Sequence, residues 1–134
     1  VFGFRRRPTV PPAPVVPWQG AAVRAEFAPL PVERRRDVPS VVLTAGGVRV
    51  QLHASDVRAV GRGRAGIAES AVPPLAFLCR PGAAGPGSAM HDDLGHLPPD
   101  SWALVLGDAP LVAVAVLDGP QAASFLAWAA DLPG

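Results

Sequence analysis

The chain has 134 residues, a formal net charge of +1 and a pI near 8.2. The length fits one small domain, and the charge predicts no strong general field, whereas a nucleic-acid-binding face usually brings a pI above about 9. Val, Leu, Ile and Phe supply 37 residues, enough for a modest core, while 17 Pro and 14 Gly bring the composition close to that of irregular chains.

All twelve basic residues are Arg, and Lys, Asn and Tyr are missing altogether. Residues with AT-rich codons are the ones lost, which points to a GC-rich bacterial genome rather than to selection of arginine forks for phosphate. Val1 in place of Met fits either a fragment or a valine-coded start. Phe2-Gly3-Phe4-Arg5-Arg6-Arg7 has charges but no apolar run behind it, so it does not read as a signal peptide, and a cytoplasmic location is expected.

Residues 1–19 read as a flexible Pro-rich arm, and residues 20–134 as a single small β-rich domain with a long loop at about 81–100. Pro8, Pro11, Pro12, Pro14 and Pro17 oppose helix and central strand alike, leaving an extended, polyproline-like path in which Trp18 would dock the arm onto the domain. Ala21–Ala28 alternates, with Val23, Ala25 and Phe27 on one face and Arg24 and Glu26 on the other, the period of a half-buried strand. Glu33-Arg34-Arg35-Arg36-Asp37 reads as a solvated charged loop. Val41–Thr44 and Val48–His53 flank Ala45-Gly46-Gly47, whose glycines allow the positive φ of a tight hairpin, with Val48, Val50 and Leu52 facing inward.

Ser55 or Asp56 begins another short element burying Val57 and Val60. Gly61-Arg62-Gly63-Arg64-Ala65-Gly66 lacks the spacing of a phosphate-binding glycine motif and reads as a turn. Leu75–Cys79 is a short apolar strand, with Cys79 a buried apolar residue; a single cysteine forms no internal disulfide. Trp102–Leu106 and Leu111–Leu117 form a hairpin apolar on both faces, expected to be central or covered on both sides. Asp118 or Gly119 then caps a helix with Pro120 at its start and Ala122, Phe125, Trp128, Ala129 and Leu132 on one stripe. The fold class is therefore α+β, mainly β: a small bent antiparallel sheet or partly open barrel closed by one C-terminal helix.

One cluster carries ligand chemistry. His91, Asp92, Asp93 and His96 place two imidazoles and two carboxylates within six residues, donors suited to zinc, with Asp100 or His53 as possible completing groups. Five-residue spacing keeps His91 and His96 off a common helix face, so a loop would have to wrap the ion. No nucleophile motif surrounds Ser88, Ser101 or Ser124. Phe2, Phe4 and Arg5–Arg7 offer only weak membrane anchoring.

The pattern over Ala21–Leu132, carried by Val41–His53, Trp102–Leu117 and Gln121–Leu132, resembles a bacterial pleckstrin-homology-like barrel. That resemblance implies a scaffold for peptides, proteins or lipid headgroups, without catalysis. The uncharged Ala45-Gly46-Gly47 turn stands where phosphoinositide binding would need basic residues. The expected function is a non-catalytic interaction or scaffold module with a protein partner and no cofactor. The alternative is a metal-binding domain or metal-dependent enzyme using zinc at His91, Asp92, Asp93 and His96.

Overall fold

The computed structural model describes residues 14–29, 38–70, 75–81, 94–108 and 111–133. Among the described residues, eight strands and two helices are laid out as four strands and a helix, twice over. The first unit contains β1 (Trp18–Gln19), β2 (Val23–Ala28), β3 (Ser40–Ala45), β4 (Val48–His53) and α1 (Ala54–Gly61). The second contains β5 (Ile67–Glu69), β6 (Ala76–Cys79), β7 (Trp102–Asp108), β8 (Leu111–Leu117) and α2 (Gly119–Ala130).

Each set of four strands forms its own antiparallel meander, in the order β1-β2-β3-β4 and β5-β6-β7-β8. In both units two residues separate the third and fourth strands, and the longest stretch, 29–39 in one and 80–101 in the other, separates the second and third. The mainly β, antiparallel class with a C-terminal helix matches the sequence reading. The strands divide between two sheets, however, and no closed barrel forms. A second helix accompanies the first sheet, an arrangement different from one bent sheet closed by one helix.

The β3–β4 turn forms at Gly46 and Gly47, whose φ values of +55° and +80° give the backbone twist that suits a two-residue hairpin. Beyond it the register pairs Leu43 with Val50 and Val41 with Leu52, and all four side chains are buried. Burial on β2 alternates in phase, with Val23 and Ala25 inside and Arg24 and Glu26 outside. In the second sheet Ala68, Leu78 and Leu104 stand in register facing inward.

The two inner faces and both helices enclose one hydrophobic cluster, with Leu43, Leu52, Leu78, Leu104 and Phe125 all essentially inaccessible. Burying side chains of this size contributes about 1.5–3 kcal/mol each before entropy is counted. Among the described residues no helix is long and apolar enough to cross a membrane.

Helix α2 starts where the sequence says it should. Asp118 is the cap, its Oδ1 accepting the Gln121 N–H at 3.0 Å, and Pro120 falls within the first turn, where its missing donor costs little. Ala122, Phe125 and Ala129, followed by Leu132 just past the helix, are buried as the stripe predicts, while Trp128 is half-buried at its margin. Trp18 lies in β1 and is 8% exposed. Its ring meets Phe125 edge-on at 5.2 Å, and its Nε1 donates to Ser124 Oγ at 3.0 Å. Trp128 Nε1 donates to the Val16 carbonyl at 2.7 Å, and Gln121 Oε1 accepts the Ala21 N–H at 2.8 Å. The first strand of one unit is thereby tied to the helix of the other.

The two helices meet at Gly61, the last residue of α1. A Cβ there would lie 2.6 Å from Ala130 N, 2.8 Å from the Leu126 carbonyl oxygen and 2.9 Å from the Ala129 carbonyl carbon, all of them backbone. Glycine is needed for this approach because a methyl group would have to push one helix off the other. Arg62 Nε and Arg58 Nη1 then donate to the Ala130 and Leu132 carbonyls at 3.1 and 3.4 Å, satisfying acceptors that the end of α2 leaves open. We predict that Gly61→Ala lowers unfolding free energy by about 1–3 kcal/mol through overpacking. Urea denaturation checks this, with the mutation's effect expected at the helix contact rather than in either hairpin.

Candidate functional site

The outward faces of the two sheets differ in chemistry, and the difference follows from the register. Across the first sheet, Gln19, Arg24, Thr44 and Arg49 form one outward row, and Glu26, Val42 and Gln51 form another. Arg24 Nε pairs with Glu26 Oε1 at 2.9 Å, both side chains about half exposed. Gln51 Nε2 donates to Ser40 Oγ at 2.9 Å. Gln19, Arg24, Glu26 and Arg49 are exposed on this face, whereas Val42 and Ser40 on its third strand are buried, and an exposed pair such as Arg24–Glu26 adds little to stability.

Across the second sheet the corresponding rows are Ile67, Cys79, Ala103 and Val116, and Glu69, Phe77, Val105 and Val114. Only Glu69, at one end, is charged. Part of this face is covered by a turn in which Leu97 N donates to the Leu94 carbonyl at 3.0 Å. Leu94 is fully buried against Cys79, Ala103 and Val105, forming a second, smaller hydrophobic cluster with Phe77 and Leu97 at its margin. The cover leaves Val114 40% and Ile67 37% exposed, with Val116 and Phe77 half-buried.

Strand β7 is buried on both faces over Trp102–Leu106, as its sequence implies. Strand β8 is not, because it lies at the edge of its sheet with Ala113 and Val114 open to solvent. The expectation that the whole hairpin is central or covered on both sides therefore holds for one strand only. The cause is the strand order: nothing among the described strands pairs with the far side of β8.

Of the residues read as metal ligands, His91, Asp92 and Asp93 lie outside the described residues. His96 is exposed on the turn held down by Leu94 and Leu97. Asp100 reaches the first residue of α2, where a Cβ on Gly119 would lie 2.5 Å from Asp100 Oδ2. His53 ends β4 in the first sheet, directly before α1. Among the described residues no group of three His, Cys, Asp or Glu side chains is placed to hold a metal ion.

Cys79 is buried, and desolvation pushes its thiol from an ordinary value near 9 up to about 11. At neutral pH it is a protonated, apolar wall of the smaller cluster. We predict that a disulfide reagent modifies it far more slowly in the native chain than in denaturant. The folded pKa is the higher one, so its contribution to stability is complete below the unfolded value near 9 and is lost as pH rises towards 11. Denaturation midpoints followed across that window, with Cys79→Ala as control, check the sign.

No family model matches the chain, and no curated protein or solved structure matches it either.

Proposed function

We propose that the chain is a non-catalytic interaction module that receives an extended, apolar segment of protein along the outer face and free edge of its second sheet. The observation that carries this reading is the contrast between equivalent strands of the two units. Counted from the closing pairs Ala45–Val48 and Asp108–Leu111, β4 aligns with β8, so that Arg49, Gln51 and His53 of the first unit correspond to Val112, Val114 and Val116 of the second.

Edge strands that remain single are usually guarded by charge, proline or a bulge. β4 carries such guards. β8, with the sequence Leu111-Val112-Ala113-Val114-Ala115-Val116-Leu117, carries none. Exposed Val114 and half-buried Val116 continue the apolar face formed by Phe77 and Val105, so an added strand would gain backbone hydrogen bonds and apolar contact together. Behind it, Trp102–Leu106 of β7 are buried.

A fluorescent, lysine-flanked peptide of alternating valine and threonine tests the reading by anisotropy at submicromolar protein. Binding should weaken roughly tenfold or more, at least 1.4 kcal/mol, in Val114→Lys and remain unchanged in Gln51→Lys, the equivalent position of the first unit. Absence of binding, or equal loss in both variants, would sink the proposal.

A further inference from the structure

We propose that the segment received by β8 is the β8 strand of a second copy of this chain, paired antiparallel about a two-fold axis at Val114. The inference rests on the interaction reading above and names its partner. Two observations carry it independently of the exposure of the face.

The first is the phase of the hydrogen bonds. Gly107 N donates at 2.8 Å to the carbonyl of Leu75, the residue before β6, so the N–H of Gly107 points to the β6 side. In an antiparallel strand these directions alternate, so Leu104 and Leu106 direct theirs towards β8. Their register partners are Ala115 and Ala113. It follows that Val112, Val114 and Val116 turn their N–H and C=O groups away from β7, to the free edge. An antiparallel partner centred on Val114 sets Val114 against Val114 of the second copy and Val112 against Val116. Every outward-pointing residue thereby meets another outward-pointing residue, which is the condition for a continuous ladder.

The second is the sequence itself. Leu111-Val112-Ala113-Val114-Ala115-Val116-Leu117 reads identically in either direction. With the axis at Val114, leucine stands opposite leucine and alanine opposite alanine, and each remaining valine meets a valine. A two-fold contact requires one patch to complement itself, and a palindromic, uncharged edge does so without like-charge repulsion. The equivalent β4 would place Arg49 and His53 on its own edge, so the two units of one chain differ in the property the contact needs. The product is an eight-stranded antiparallel sheet running through both copies.

Sedimentation velocity from micromolar to submillimolar concentration should show a monomer–dimer equilibrium that Val114→Pro abolishes, since proline removes the central donor. Near-ultraviolet circular dichroism from the buried Trp18 and Trp102 reports whether the variant keeps its fold. A register test avoids that variant altogether. Directly opposed, hydrogen-bonded residues have Cα atoms about 5.5 Å apart, within the range a disulfide spans. Val114→Cys should therefore cross-link to itself under mild oxidation, whereas Val112→Cys, which faces Val116, should not. Buried Cys79 is common to both variants.

A monomer at every concentration, with no cross-link at Val114, overturns the self-pairing. If that monomer still binds the valine–threonine peptide with dependence on Val114, the interaction reading stands and its partner is another protein. If it binds neither, both fail. A dimer that persists in Val114→Pro, or cross-links equally at Val112 and Val114, also overturns the proposed axis.

Discussion

The structure depends on the close approach of α1 and α2 at Gly61. Two four-stranded meanders have little reason to share a core unless something closes both, and each helix follows its own sheet directly in sequence. With hydrogen in place of a side chain at Gly61, the end of α1 lies directly on the Leu126–Ala130 backbone. Arg58 and Arg62 donate to carbonyls at the end of α2, so the contact is polar at its rim and apolar beneath. Trp18 adds a second tie, carrying the first strand of one unit onto the helix of the other. One continuous core results, and the two sheets are left with one outward face each.

Function is then decided by what those outward faces carry. The first sheet displays Arg24, Glu26, Thr44, Arg49 and Gln51, with Arg24 paired to Glu26 and Gln51 donating to Ser40. The second displays alanine, valine and phenylalanine, and covers only part of that surface with Leu94 and Leu97. Leaving apolar area in water forfeits about 25 cal/mol per Å² that burial would recover. A partner strand on β8 recovers some of it and satisfies the edge backbone at the same time. The two units thus share an architecture but not a surface: one edge carries charge, and the other is uncharged and unpaired among the described strands.

Much of this was legible in the sequence, for definite reasons. Both hairpins announced themselves through alternation and short turns, and α2 through Asp118, Pro120 and the Phe125 stripe. Helix α1 was not legible as a helix. It is only eight residues long, its cap position is His53 with no side-chain cap bond, and its buried set is just Ala54, Val57 and Val60. β1 was hidden by Pro17 in front and Gly20 behind, and the three-residue β5 by its length. The division into two sheets depends on contacts between residues far apart in sequence, such as Gly61 with Ala130, which no local period records. At the site, Leu94 gave no signal because two leucines, Leu94 and Leu97, among charged residues and glycine are too few to show a period. The palindrome of β8 was visible all along, but it acquires meaning only once that strand is known to be an edge. His91, Asp92 and Asp93 fall outside the described residues, and His96 is exposed beside them in sequence.

The central claim is that equivalent edges of the two units have different fates, and amide hydrogen exchange measured at several protein concentrations tests it most directly. The outward amides of β8, at Val112, Val114 and Val116, should become protected as concentration rises, while those of Arg49 and Gln51 on β4 exchange at a constant rate throughout. Equal and concentration-independent exchange at both edges would contradict the account.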